Sequence, residues 1–318
     1  MDFEDNSPDD ITSVTDAFDN VTIQQNERFQ DKKILEVLFL DGKMFKNFFM
    51  YLEKVHPETN LKFFRRGIWG KIVGTDTDRK YYSAVSSIRF PISDLQKYEC
   101  NLDRIPGYDP EEDETFFFNL TFKSSNMVEF VKTTNASSRV TMVYEYESKI
   151  MRLNAGGTSD FLLPVEFSLD DTHFPLSEAI TSDNLLPIVN MISSQFSVIS
   201  ENLTKNKKQA TYDSYIDFQV NDETYEKTAY VHSSEGKFKD NFGDYNTTLP
   251  PDARFVLKYG IMKALSLLTK VNEKGFLSFM FIDDEILRVS TKIGNFGMYD
   301  LFIFVKRKPI HRGSDELI

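Results

Sequence analysis

A single cysteine, Cys100, stands in a chain of 318 residues. No disulfide can form within the chain, which suits a reducing compartment. Histidine is almost as scarce: His56, His173, His232 and His311 are scattered, and none stands at metal-ligand spacing from Cys100 or from another histidine. Phosphate cradles are missing too. "NAGGTSD" and "GDYNTT" contain glycines but lack the GxxxxGK[ST] spacing, and no G-x-S-x-G nucleophile context occurs. Paired carboxylates in "TDTD" (75–78) and "IDDE" (282–285) lie between strand-like runs, where acids make solvated turns. With no constellation for acid–base, nucleophilic or metal chemistry, the chain reads as a non-enzyme without metal or cofactor. No apolar run approaches the ~18 residues of a membrane span. The opening residues also lack the basic start and apolar core of a signal peptide. The expectation is a soluble intracellular protein with no membrane contact.

Basic residues are the minority, 37 against 49 acids, but the imbalance is unevenly spread. Nine acids (Asp2, Glu4, Asp5, Asp9, Asp10, Asp16, Asp19, Glu27, Asp31) face Arg28 alone in residues 1–31. That stretch has no sustained apolar period and reads as a disordered acidic tail. The remainder is close to neutral and rich in Phe and Tyr, enough for two medium domains.

From Ile34 a strand, "ILEVLFL", leads to a helix, "DGKMFKNFFMYLEKVHP", stopped by Pro57. The strand runs "LKFFRRGIWGKIVG", "KYYSAVSSIRF" and "TFFFNLTF" follow. A short helix, "SSNMVEFVKTTN", comes next, and then "RVTMVYEYE", "KIMRLN" and "DFLLPVEF". The second half repeats the list: a strand "FPLSEAI", a helix "SDNLLPIVNMISSQF", a β-rich region 196–258, the helix "YGIMKALSLLTKVN" and three strands, "GFLSFMFID", "EILRVSTKI" and "MYDLFIFVK". The reading is α+β, two domains of one architecture without visible sequence identity. The boundaries are an acidic tail at 1–31, a first domain at 32–163, a connector at 164–176, a second domain at 177–307 and a terminal tail at 308–318.

Two helices carry an apolar and a basic face. In the first, Phe45, Phe48, Phe49 and Leu52 gather on one side, with Lys43, Lys46, Asn47 and Lys54 on the other. Further on, Lys263, Lys270 and Lys274 fall within roughly 40° at about 100° per residue, opposite Ile261, Leu265 and Leu268. The short helix adds Lys132. The helix 182–196 has no lysine and turns Asn190 and Ser194 outward, with Lys205, Lys207 and Lys208 nearby. Lysines on an exposed helix face solubilise at the least; two such faces on an acidic protein suggest a polyanion meeting that surface alone.

The segment "DARFVLKYGIMKALSLLTKVNEKGFLSFMFIDDEILRVSTKIGNFGMYDLFIFVK" resembles the C-terminal part of proliferating cell nuclear antigen, the sliding clamp of DNA replication. "RRGIWGKIVGTDTDRKYYSAVSSI" is similar to the clamp's strand, acidic turn, strand unit. "MFKNFFMYLEK" is close to divergent PCNA-like proteins of large DNA viruses. The resemblance covers residues 33–307. It implies clamp-type domains joined head to tail, usually as trimers, in a closed ring with sheets outside and helices lining a hole for duplex DNA. DNA polymerase and other clamp-binding proteins would be the partners, at the nucleus or a cytoplasmic viral replication site. It also implies a partner pocket beneath the connector, formed by Phe302, Phe304 and Val305 with Phe167 and Phe174. "DFLLPVEF" and a strand within "SYIDFQV" are the expected edges between subunits. Two other readings stay open: a clamp-fold viral accessory factor that binds DNA or the transcription apparatus without closing a ring, and an enzyme of unrecognised type.

Overall fold

The computed structural model describes residues 32–73, 84–157, 159–171, 189–204, 214–220, 227–233, 236–240, 253–257, 259–282, 286–304 and 306–309. The acidic tail, "TDTD", the strand "FPLSEAI", Phe174, Lys205, Lys207, Lys208 and Val305 lie outside these.

Alternating burial makes Lys33–Phe39 a strand (β1), and Asp41 starts the first helix, Gly42–Val55 (α1), by accepting the Met44 N–H at 2.8 Å. All four apolar residues expected to face inward are buried, joined by Tyr51 and Val55. Strands Glu58–Phe64 (β2) and Gly67–Val73 (β3) form a hairpin, followed by Ala84–Pro91 (β4), Lys97–Cys100 (β5) and Phe117–Lys123 (β6). Gly67 sits at φ +141°, and a Cβ there would stand 2.3 Å from the Phe90 carbonyl oxygen. The second helix is Ser124–Thr133 (α2); Val140–Glu145 (β7), Ile150–Asn154 (β8) and Phe161–Pro164 (β9) close the half.

The reading of "DFLLPVEF" as one strand is corrected. The chain breaks pairing at Val165, and Glu166–Ser168 (β10) crosses to a different sheet beside β6. The same handover recurs 140 residues later. Met298–Phe304 (β18) pairs in one sheet and Lys306–Pro309 (β19) in another, so "MYDLFIFVK" is also two strands.

The expected helix 182–196 is corrected as well. Val189–Ile192 is a strand (β11), and the helix is Ser193–Thr204 (α3). A short apolar run such as "VNMI" fits either period; here antiparallel pairing with Phe276–Ile282 (β16) decides it. Residues 182–188 lie outside the described ones. Ser214–Val220 (β12), Lys227–Ser233 (β13), Gly236–Asp240 (β14) and Ala253–Leu257 (β15) follow, then Tyr259–Leu268 (α4) and Ile286–Lys292 (β17).

Three sheets result, in the orders β5-β1-β7-β8-β9, β10-β6-β2-β3-β4-β18-β17-β16-β11 and β14-β13-β12-β15-β19. The central sheet belongs to both halves, because β18 of the second pairs with β4 of the first. β12 lies between β13 and β15, so the expected edge within "SYIDFQV" is wrong: β14 and β19 end that sheet. One apolar core runs across both halves, and Phe39 meets Phe296 at 5.2 Å while Phe48 meets Tyr299 at 5.6 Å. Helices α1 and α2 pack together, α3 and α4 likewise, and α1 meets α4.

The seam between β4 and β18 has a polar centre within this core. Tyr299 Oη lies 2.6 Å from Ser86 Oγ and 3.0 Å from Tyr51 Oη, and Ser86 Oγ lies 2.6 Å from His56 Nε2. All four residues are buried, and His56 Nδ1 has no partner. Burial holds the His56 pKa down to about 3. The fold therefore keeps the neutral ring. Between about pH 6.5 and pH 3 the unfolded chain takes up a proton that the folded chain refuses. Stability is full above this window and falls as pH drops through it, by at most about 1.4 kcal/mol per pH unit. Urea unfolding of wild type and His56→Gln between pH 7 and pH 4 should show this loss in the wild type only. Tyr299→Phe, which strands the Tyr51 hydroxyl and leaves Ser86 with His56 alone, should cost about 1–3 kcal/mol at neutral pH.

Candidate nucleic-acid interface

The helices form a layer over the sheets, and their outward faces carry the lysines singled out from sequence. Lys43 and Lys54 are exposed on α1, Lys132 on α2 and Lys263 on α4. The basic face of α4 is shorter than its sequence period suggests, since the helix ends at Leu268. Its last turn tightens: the Lys270 N–H donates to Leu267 O at 3.1 Å and the Val271 N–H to Leu268 O at 3.0 Å. Lys270 and Lys274 therefore project from the turns after the helix, both exposed, rather than continuing one helical stripe with Lys263.

Four of the residues expected on the basic faces are engaged within the chain. Lys46 Nζ donates to the carbonyls of Lys132 (3.4 Å) and Thr134 (3.3 Å), at the negative end of α2. Asn47 Nδ2 donates to Lys270 O at 3.0 Å, just past the end of α4. Lys43 Nζ pairs with Glu273 Oε2 at 3.3 Å. So α1 ties the C-terminal ends of both neighbouring helices, one in each half. Lys54 Nζ sits 2.5 Å from the adjacent Glu53 carboxylate. Glu273 was missed in the sequence, although it stands between Lys270 and Lys274 in "KVNEK". Asn190, expected outward on a helix, lies on β11, where its carbonyl accepts from Ser278 Oγ at 2.6 Å. Ser194 is exposed on α3, and no lysine stands among the described residues of that helix.

The expected partner pocket does not come together from its described members. Phe167 belongs to the first half's core, stacked on Phe118 at 5.7 Å and Tyr144 at 6.2 Å. Its strand β10 is at one end of the central sheet, with four strands between it and β18. Phe302 is fully buried with the Arg288 guanidinium 5.6 Å over its ring, and Phe304 is 46% exposed. The connector starts instead on the β2–β6 face. Buried Lys62 pairs with Asp171 and lies 4.5 Å over the Phe117 ring, while Asn119 Nδ2 donates to Asp170 O at 2.6 Å.

Among the described residues, no three His, Cys, Asp or Glu side chains converge on a point that would hold a metal. Burial pushes the Cys100 thiol up to about 12. No described helix is long and apolar enough to cross a membrane.

No family model matches this sequence, and no curated protein does. Among solved structures, the PCNA2–PCNA3 complex from Sulfolobus tokodaii is similar, with a TM-score of 0.60 at 14% identity, over 85% of this chain and 98% of that one. The likeness shows the fold: two α+β clamp-type domains.

The Lys43–Glu273 pair is 56% exposed on both sides, so screening leaves it little weight in stability. Glu273→Gln should change the unfolding free energy by less than about 0.5 kcal/mol, as read by urea denaturation at neutral pH.

Proposed function

We propose that this chain is a sliding clamp: a non-enzymatic subunit of a closed ring that surrounds duplex DNA and tethers a polymerase and other clamp-binding proteins to it. The observation that carries the reading is the meeting of α1 and α4. Two helices from different halves meet with their apolar faces on the sheets, leaving Lys43 and Lys54 of α1, Lys263 of α4 and Lys270 in the turn after α4 exposed. A surface of that kind offers charge without base-reading groups, which suits sequence-independent contact with phosphates. An acidic chain can carry it, since only that surface meets the polyanion.

Ring closure is supported by the sheets. β9 and β14 end two different sheets, so one copy presents two unlike edges, as a head-to-tail assembly requires. A trimer is the expected count, and an intracellular replication site is where such a ring works. The open-faced alternative draws on the internal engagement of Lys43, Lys46 and Asn47, which weakens the basic surface.

Reversing Lys263 and Lys270 to Glu should leave folding intact, because both are exposed. Association with linear or circular duplex should weaken alike for all sequences, and the slope of log K against log salt should become shallower by about two. An unchanged slope would sink the DNA reading. Leu162, 57% exposed on β9, tests closure. Leu162→Lys should shift the mass in solution from several chains to one, measured by light scattering over a range of concentrations. Retention of the parental mass would place the joint elsewhere.

A further inference from the structure

The second half opens a cavity of about 490 Å³ on the central sheet, where β16 starts, β17 ends and β11 closes the edge. Its size suits an organic ligand rather than a bare ion. Leu277, Val289 and Tyr299 are buried in the core beneath the helices, so by strand alternation Ser278, Ser290 and Met298 point to the other face. The cavity lies on that outer face. Ser290 stands opposite Ser278 on one side and Asp300 on the other, and Asn190 stands opposite Ser278. Two residues along the same ladder, Lys292 and Phe276 leave the face side by side, and Phe276 is 54% exposed.

Although acids outnumber bases in the chain, no carboxylate is among the described residues that line this cavity. The lining favours an anion. Asp300, next to Ser290 on the ladder, is neutralised by Arg288 Nε at 3.0 Å and Arg89 Nη2 at 3.4 Å, and Glu273 turns to Lys43. Among the described residues nothing pairs with the Lys292 ammonium, nor with the hydroxyl of Ser290, which is only 6% exposed. Two amides complete the wall: Asn190 Oδ1 accepts from Ser278 Oγ at 2.6 Å, and Asn272 Nδ2 donates to Thr291 Oγ1 at 3.3 Å. Each keeps the other end of its amide for a guest, N–H donors on Asn190 and a carbonyl on Asn272.

We infer that this cavity is a nucleotide site, with a phosphate held at Lys292, the base stacked on Phe276 and its edge met by Asn190 and Asn272. A cation, an aromatic face and uncharged donors and acceptors are the groups that recognise a phosphate, a base plane and a base edge. Cross-strand neighbours such as Lys292 and Phe276 have Cβ atoms about 5 Å apart, so one sugar can join a phosphate on the first to a base on the second. The guest is a free nucleotide or one unit of a single strand. A duplex keeps its bases stacked on one another and cannot offer a base plane to Phe276. The site therefore differs from the helix layer in both position and ligand, and it needs no ring.

The full chain is titrated with thymidine 5′-monophosphate, read by saturation-transfer NMR, and with an oligothymidylate, read by fluorescence anisotropy. The nucleotide should bind saturably, and more tightly than thymidine or inorganic phosphate alone. Lys292→Gln and Phe276→Ser should each weaken it about tenfold or more, with circular dichroism and melting unchanged because both side chains are exposed. An oligothymidylate that competes for the cavity assigns it to a single strand; one that does not assigns it to the free nucleotide. Reversing Lys263 and Lys270 to Glu, the pair that tests the duplex reading, should leave nucleotide binding unchanged. The inference fails if neither probe binds, if binding survives both cavity variants, or if the nucleotide is ignored while an acidic peptide with a phenylalanine binds and is lost in Lys292→Gln. None of these failures touches the clamp reading, whose own test is the salt slope on duplex.

Discussion

Everything in this molecule hangs on the antiparallel ladder between β4 and β18. It joins the two halves into one nine-stranded sheet, and consecutive residues of β18 secure it from opposite sides. Tyr299 points into the core and completes a hydroxyl network with Tyr51, Ser86 and His56. Asp300 points outward and gathers two guanidinium groups from different strands. Buried polar groups carry a heavy penalty when unpaired, so this arrangement admits only one register. That register in turn places α1 beside α4, because each helix rides on the sheet of its own half.

The helix layer depends on a second economy. α1 covers the core with Phe45, Phe48, Phe49 and Leu52, and its polar side ends the neighbouring helices through Lys46 and Asn47. Positive charge at helix C-termini is favourable, so the lysines of α1 serve the packing of the layer before they meet anything else. The surface they leave is moderately basic, held down by Glu273 and Glu53. In the ring proposed above, contact that is loose and alike at every phosphate would let it travel along the duplex.

Much of the architecture was legible in the sequence. The period of "KMFKNFFMYLEK" gave α1 and its buried face, and alternation gave most strands of the first half. What escaped was decided by partners far away in the chain. "VNMI" is apolar at a spacing that suits a helix, yet β16 claims it as a strand. "DFLLPVEF" and "MYDLFIFVK" read as single strands because a one-residue change of sheet leaves no mark on alternation. The repeat of architecture was legible, but its residue-level match was hidden: Ile-x-Arg followed by Asp and Val five residues apart occurs in both halves, with a turn between that differs in length. The candidate site was legible only in part. Helical spacing shows which lysines face outward, whereas the acids that pair with them come from loops whose position no periodicity records.

The two halves share the Arg and Asp of that repeat, Arg152 and Asp160 in one and Arg288 and Asp300 in the other, and differ on the inner side. Where β18 has Tyr299 to enter the core of the other half, the aligned residue beside β9 is Ser159, which has no ring to insert and no phenol to share. The joint inside the chain is therefore both covalently tethered and keyed into a common interior, and the matching edge has neither support. In the ring proposed above, a rigid weld would alternate with a clasp. Under torsion the clasps yield first, so such a circle would part at a subunit boundary and reseal there without any chain losing its fold.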